Sequence, residues 1–341
     1  AISLYYSGHR YISLNMIDEA GTILKKINEI SSKNEIIDEK DYWLYALHAE
    51  YSINKGQYSA ALDYCEKAAA GIEKIYGSGN RFTIELYFLL GAANYYNGKT
   101  DRFIYYSETA RQYSEKVYGA GHLFTAIGFN NMGVGYDANG DYRRAIACYE
   151  KALPVYKKNL GQKHREIATC YNNLGTAYCN SGDVKTGIDY YTKAVALRTE
   201  ILGEKHPDTA ASCNDLGTAY KDAGDYDRAA WYFTKALSLY REIHGERHPV
   251  TATVYSNLGG VYCGIGDFDR AFDFYEKALS IRQETLGEKS AYTALSYNDL
   301  GWVFVYRSDY DRAIVYYLKA LAILRETTGD KHPVTATCLS N

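Results

Sequence analysis

The stretch Leu202-Gly203-Glu204-Lys205-His206-Pro207 returns along the chain in related forms, and it decides the fold. Glycine stands at residues 77, 119, 161, 203, 245, 287 and 329, always 42 residues apart. Three residues after each glycine comes a second recurring position, filled by His122, His164, His206, His248 and His332, with Asn80 and Ser290 in the two other slots. A fixed period of this length indicates a repeat array rather than a set of separate globular domains.

The residues between two such stretches predict two helices in each repeat. In residues 206–247, Pro207 suits the first turn of a helix, and apolar residues follow it at helical spacing. Gly224-Asp225 then interrupts the pattern, and a longer helical run ends at Gly245, a residue type that commonly terminates helices. Each repeat therefore reads as helix, tight turn, longer helix, glycine and short loop.

These repeats resemble the tetratricopeptide repeat, in which aromatic, leucine, glycine, tyrosine and alanine residues recur at fixed offsets. One repeat carries that signature as Tyr255, Leu258, Gly259, Tyr262, Ala271, Tyr275 and Ala278. The long period, the L-G-x-x-H-P loop and the N-N-L-G of the first helix resemble the kinesin light chain type. The resemblance implies an all-α, right-handed superhelical solenoid of antiparallel helix pairs with an inner groove. It also implies a role in protein interaction.

The register of the repeats predicts how the chain is divided. We expect seven repeats of 42 residues in residues 38–331, a degenerate helix pair in residues 1–37, and the start of a truncated repeat in residues 332–341. The chain begins with alanine and its pattern is still running at the last residue. We therefore expect it to be part of a longer protein.

Composition argues against two classes of partner. The longest charge-free apolar stretch, residues 86–98, is shorter than the roughly 18 apolar residues that a membrane span needs. A net charge of -3 gives no general attraction to nucleic acid. The seven cysteines include no C-x-x-C pair, which is typical of a reducing compartment. We expect a cytoplasmic protein that binds neither membrane nor nucleic acid.

Several motifs suggest chemistry, but the predicted structure around each of them does not fit that chemistry. Residues 93–100 match a loose phosphate-binding loop, but they close a predicted helix where a genuine loop follows a strand, so we expect no nucleotide. The recurring histidines belong to repeats stacked about 10 Å apart, too far for one zinc site, and are expected to be loop residues that tie one pair to the next. Cys170, Cys213 and Cys338 are predicted core residues, whereas Cys179 and Cys263 lie toward the groove. The sequence thus predicts no enzyme, no metal and no cofactor.

The inner groove is the remaining candidate site. Four positions of each first helix are expected to face it, and among these 28 positions in seven repeats seven are Asn and none is Lys or Arg. A row of amides can hydrogen-bond the backbone of an extended peptide, a use that resembles the asparagine ladder of the O-GlcNAc transferase repeats. The predicted peptide-binding residues are Asn130, Asn131, Asn172, Asn173, Asn214, Asp215, Asn257, Asn298, Asp299 and Trp302. The alternative is that the asparagines only stabilise contacts between neighbouring first helices.

Two hypotheses for function follow from this groove. The preferred one is a protein-interaction scaffold that binds an extended peptide or a partner helix in the groove. Because the charged groove positions are Glu50, Glu85, Asp215 and Asp299, the bound segment is expected to be neutral to basic. The alternative is a ligand-sensing arm of a larger signalling protein, for example a nucleotide-hydrolysing switch, with its catalytic domain outside this chain.

Overall fold

The computed structural model describes residues 21–22, 25, 39–77, 79–327 and 338, and within these residues it contains helices and turns but no strand. The helices of the described part form seven consecutive pairs, which confirms the predicted all-α fold of antiparallel helix pairs. The pairs are α1 (Glu39–Asn54) with α2 (Tyr58–Tyr76), α3 (Arg81–Tyr96) with α4 (Thr100–Tyr118), α5 (Leu123–Ala138) with α6 (Tyr142–Leu160), α7 (Arg165–Asn180) with α8 (Val184–Leu202), α9 (Pro207–Asp222) with α10 (Tyr226–His244), α11 (Pro249–Gly264) with α12 (Phe268–Leu286), and α13 (Ala291–Tyr306) with α14 (Tyr310–Thr327). The expected degenerate pair at 1–37 and truncated repeat at 332–341 lie largely outside the described residues.

The chain divides into two compact units, residues 1–177 and 178–341, and the boundary falls inside α7. In the first unit, the helices α1 to α6 pack on one another in chain order, and the first helices α1, α3 and α5 also touch in succession. In the second unit, each helix from α8 to α14 packs on the next, and α9, α11 and α13 touch in the same way. Consecutive first helices therefore lie side by side within each unit.

Small residues let the two helices of a pair approach closely. A methyl group added at Gly259 of α11 would stand 2.8 Å from ring carbons of Tyr275 in α12, and one at Gly133 would stand 2.5 Å from Tyr149. Forcing extra volume into such a packed contact destabilises a fold by about 1–3 kcal/mol. The second helices carry a fully buried alanine in the same place of every repeat, namely Ala68, Ala110, Ala152, Ala194, Ala236, Ala278 and Ala320.

The pair α3 and α4 packs differently. Ser107 occupies the place where α6, α8, α10, α12 and α14 carry an aromatic ring, and Phe103 occupies the small-residue place one turn earlier. The Phe103 ring is buried and lies 3.1 Å from where a Cβ of Gly91 would stand. The aromatic group has moved along the helix, and it leaves the Ser107 hydroxyl and the Asn94 side-chain oxygen buried without a hydrogen-bond partner in the described structure.

The recurring histidines cap the first helices. Nδ1 of His206 accepts the N–H of Asp208 at 3.1 Å, and His122, His164 and His248 accept the N–H two residues onward in the same way. Asn80 and Ser290 make the equivalent bond with a side-chain oxygen. These residues lie in the loops as predicted, and their contact satisfies an N–H group that the first helical turn would otherwise leave unpaired.

Candidate peptide-binding surface

The first helices carry all ten residues predicted to bind a peptide. Nine of the ten side chains are half-buried, and Trp302 is 40% exposed. We call the side of the first helices that bears these residues the first-helix face of each unit. It is a polar surface because a half-buried amide keeps part of its hydrogen-bonding capacity available to solvent or to a ligand.

In the first unit, the structure brings together two predicted residues on neighbouring helices. Nδ2 of Asn173 in α7 donates to Oδ1 of Asn130 in α5 at 3.3 Å. The next residue of α5, Asn131, lines a cavity together with residues of α1, α2 and α3. Asn172 lies beside Asn173 on α7 and is also half-buried.

In the second unit, the same bond recurs two repeats later. Nδ2 of Asn257 in α11 donates to Oδ1 of Asn214 in α9 at 2.8 Å. Each bonded pair links consecutive first helices, which is the contact that the alternative interpretation of the asparagines expects. Each amide has two N–H groups and an oxygen with two lone pairs, so one mutual bond leaves capacity for a second partner.

The corresponding positions of α11 and α13 carry a different pair, Ser256 and Asp299. The Ser256 hydroxyl is buried and has no hydrogen-bond partner among the described residues. Burial raises the pKa of the Asp299 carboxyl to about 7, while the positive charges of Arg282 and Lys221 act to lower it. Asp299 is therefore only partly ionised at neutral pH. The sequence treats it as a full negative charge because it does not show the burial that raises the pKa.

Arg282 itself is buried and held by hydrogen bonds within the second unit. Its guanidinium donates to Oγ of Ser296 at 2.7 Å and to the carbonyl of Tyr292 at 3.4 Å. Arg198 of α8 makes the equivalent bonds to Ser212 and to the carbonyl of Asp208. These arginines anchor a second helix to the next first helix. The sequence analysis did not identify this contact, although arginine at an apolar second-helix position was a visible signal.

The far end of α13 is aromatic. Trp302 lies 6.0 Å from Tyr306 between ring centroids, and Tyr306 stacks on Phe268 of α12 at 5.1 Å. Asn298 and Asp215 occupy half-buried positions on α13 and α9. The structure thus places the ten predicted residues on the first helices, and it joins four of them directly as two hydrogen-bonded pairs.

A cavity in the first unit was not predicted. It has a volume of 380 Å³ and is lined mostly by first-helix residues, of which Ala46, Phe88 and Leu89 stand at positions equivalent to those of Asn130 and Asn131. Its lining residues are Ala46, Glu50, Ile72, Phe82, Glu85, Leu86, Phe88, Leu89, Ala92 and Asn131. The sequence could have indicated this cavity, because the first two repeats carry apolar residues at positions where later repeats carry amides.

The motifs that suggested chemistry occupy structural places. Lys99 lies in the turn between α3 and α4, next to Gly98, so the phosphate-loop-like residues 93–100 run from the end of one helix to the start of the next. Cys170, Cys213 and Cys338 are buried as predicted, and all seven cysteines are free thiols. Cys179 and Cys263 are half-buried, and burial raises the pKa of each thiol to about 11, which keeps both protonated at neutral pH.

Three or more His, Cys, Asp or Glu side chains do not meet anywhere in the described part as metal ligands would. Within the same residues, every helix is too short or too polar to cross a bilayer.

Comparison with known proteins identifies the repeats. The sequence profile of the tetratricopeptide repeat matches residues 104–158, 166–242, 222–284 and 250–326. A search of the curated proteins found no match.

Solved structures share the fold at low sequence identity. BtubC (BKLC) from P. vanneervenii is 24% identical over 69% of this chain and 94% of that chain, with a TM-score of 0.57. A Rap protein in complex with competence and sporulation factor is 14% identical over 99% and 95% of the two chains, with a TM-score of 0.65. A signal transduction ATPase with a tetratricopeptide repeat sensor, from Pyrococcus horikoshii, is 16% identical with a TM-score of 0.68; the alignment covers 97% of this chain but 48% of that protein.

Proposed function

Because the chain belongs to the tetratricopeptide repeat family, whose repeats typically mediate protein–protein interaction, we propose that it is an interaction scaffold that binds an extended peptide segment along its first-helix face. Repeats of this family are typically non-enzymatic, and the phosphate-loop-like residues sit in a helix–turn–helix corner. The segment lies in the groove that the repeat array predicts.

The observation that carries the proposal is the pair of inter-helix amide bonds. Asn130 with Asn173, and Asn214 with Asn257, hold the amides at defined places on neighbouring helices. A side chain fixed by one hydrogen bond loses less conformational freedom when it binds a ligand, so its remaining N–H and oxygen are preorganised. Peptide C=O and N–H groups are the complementary partners, because an extended backbone offers both along its length.

The charge on the face favours a neutral to basic segment. Glu50, Glu85 and Asp215 are half-buried acidic residues of the first helices, whereas none of the 28 expected groove positions is Lys or Arg. Asp299 adds less negative charge than the sequence implies because its carboxyl titrates with a pKa of about 7. Exposed charges at physiological salt are screened beyond about 8 Å, so charge sets preference while the amides supply most of the affinity.

The proposal is tested by selecting segments from a random peptide display library on the purified chain and measuring their affinity by fluorescence anisotropy. We expect the selected peptides to be neutral or basic, and we expect their affinity to fall as the salt concentration rises. Two double variants should each lower the affinity of the selected peptides at every salt concentration: Asn130→Ala with Asn173→Ala, and Asn214→Ala with Asn257→Ala. Acidic selected peptides, or affinities indifferent to both double variants, would show that the segment binds elsewhere.

A further inference from the structure

The cavity of the first unit is an apolar opening within a polar face. Phe88, Leu89 and Ala92 of α3 are half-buried lining residues, and the fully or nearly buried Ala46, Ile72 and Leu86 lie behind them. Phe88 and Leu89 stand at the positions that Asn130 and Asn131 occupy one repeat later. The same helix face therefore changes from apolar to amide between α3 and α5.

The change in polarity is not required by the fold. The helices α1, α3 and α5 touch in succession although the equivalent positions 46, 88 and 130 carry alanine, phenylalanine and asparagine. Apolar side chains that are left half-exposed in a concavity gain free energy when a ligand covers them, because water is displaced from their surface. The cavity is therefore suited to an apolar group rather than to a backbone amide.

The rim of the cavity is acidic. Glu50 of α1 and Glu85 of α3 both line it, and none of its ten lining residues is Lys or Arg. Arg81 pairs with Glu85 at 2.9 Å, but the Arg81 side chain is 66% exposed and lies outside the lining. An exposed ion pair of this kind is weak, so an incoming cation can share or replace it.

We propose that this cavity, which we call the acidic-rimmed pocket, receives one aliphatic or aromatic side chain of the bound segment, with a lysine or arginine next to that side chain in sequence. Its volume of 380 Å³ is near the lower limit of ligand pockets, which matches one large side chain and its neighbours. The apolar group covers Phe88, Leu89 and Ala92, while the adjacent cation faces Glu50 and Glu85. The inference rests on the proposed function and names the anchor that the segment carries.

The test uses a synthetic heptapeptide, acetyl-Gly-Ser-Lys-Leu-Lys-Ser-Gly-amide, and the full chain with isotope-labelled alanine and leucine methyl groups. We expect saturable chemical-shift changes at the methyls of Ala46, Leu89 and Ala92. A peptide with Ala in place of Leu should bind about tenfold or more weakly, because it leaves the apolar surface uncovered. A peptide with Glu in place of both Lys residues should also bind more weakly than the original heptapeptide.

Variants of the chain locate the effect. Ala92→Phe should fill the pocket and abolish binding of the heptapeptide, whereas Ala138→Phe, at an exposed position at the end of α5, serves as the matched control and should leave it unchanged. Glu50→Gln with Glu85→Gln should remove the preference for Lys over Glu in the peptide. The methyl spectrum of each variant shows directly whether it is folded.

Absence of saturable shifts at these methyls, or equal binding by the Ala92→Phe and Ala138→Phe variants, would overturn the pocket. Different outcomes would overturn the proposed function. If display-selected peptides lose affinity in the double asparagine variants but bind Ala92→Phe normally, then the segment uses the amides and not the pocket. If the heptapeptide binds the pocket while selected peptides ignore the asparagines, the amide site is wrong and the pocket stands.

Discussion

Two stretches of the first-helix face occupy equivalent positions and differ in chemistry. On α3 these positions hold Phe88 and Leu89, which border the acidic-rimmed pocket. On α9 and α11 they include Asn214 and Asn257, which share a hydrogen bond of 2.8 Å. The backbone is the same helix of 16 residues in each case. The scaffold therefore accepts either polarity at these positions, and what differs between the two stretches is the chemistry offered to a ligand.

The largest expected effect separates the face from the core. Ala236→Phe places a ring at a fully buried position and should lower the free energy of unfolding by about 1–3 kcal/mol or more. Ala92→Phe places the same ring on the face and should change it by less than about 1 kcal/mol. Urea unfolding followed by circular dichroism measures both. Equal losses would mean that the face is as tightly packed as the core and that its residues are constrained by folding.

A second test concerns the carboxyl group of Asp299 on the polar stretch. Burial raises the pKa of Asp299 to about 7, so the folded state binds its proton more tightly than the unfolded chain, in which an Asp pKa is about 3.9. Its favourable contribution is thus complete at low pH and lost as pH rises through about 7. Asp299→Asn should raise the melting temperature more at pH 8 than at pH 5. The reverse order would show that Arg282 and Lys221 dominate over burial. Asp189→Asn, on the exposed side of α8, is the control and should show no such dependence.

A smaller effect is expected at the caps that align the first helices. Burial and the neighbouring His244 lower the pKa of His248, so folding disfavours its protonated form. Its contribution is present above the unfolded histidine value of about 6.5 and is lost as pH falls below it. His248→Asn keeps a cap of the kind that Asn80 provides on α3 but cannot titrate. We expect its stability to vary less between pH 7 and pH 5 than that of the unaltered chain. An unchanged pH profile would assign the acid sensitivity to other groups.

The smallest effect belongs to the ion pairs between loops and second helices. Arg247 and Glu284 approach to 2.7 Å, and Lys289 and Glu326 to 2.6 Å, with every one of these side chains about half exposed or more. Such exposed pairs contribute about 0–1 kcal/mol and are screened by salt. Arg247→Ala should therefore lower stability by about 0.5 kcal/mol at most, and by less in high salt. A loss comparable to that of Ala236→Phe would show that loop contacts, rather than helix packing, hold the repeats together.

The sequence predicted most of the fold because its repeat makes each local signal recur. Gly259 against Tyr275, the buried alanines and the helix ends all follow from positions that are 42 residues apart. Departures from the repeat were harder to interpret. In α4 the aromatic ring stands at Phe103 and not at Ser107, and the reason is visible only in the structure, where the ring packs against Gly91.

The arrangement of the asparagines could be predicted from the sequence only in part. The sequence selected the face that carries the asparagines, since residue spacing on a helix determines which side chains share a side. It did not predict the bonds from Asn173 to Asn130 and from Asn257 to Asn214, because these depend on how neighbouring helices are offset. It also missed the charge state of Asp299, which depends on burial and on Arg282 from another helix.

The central claim is that the asparagines serve a ligand more than the fold, and the double variant Asn214→Leu with Asn257→Leu tests it most directly. Replacing both partners of a hydrogen bond by apolar groups is close to neutral for stability, so the free energy of unfolding should stay within about 1 kcal/mol of the unaltered chain. The affinity for a display-selected peptide should fall about tenfold or more, since two preorganised amides are lost. If the variant instead unfolds readily while its folded fraction binds the peptide with undiminished affinity, the asparagines hold neighbouring helices together and the peptide site lies elsewhere.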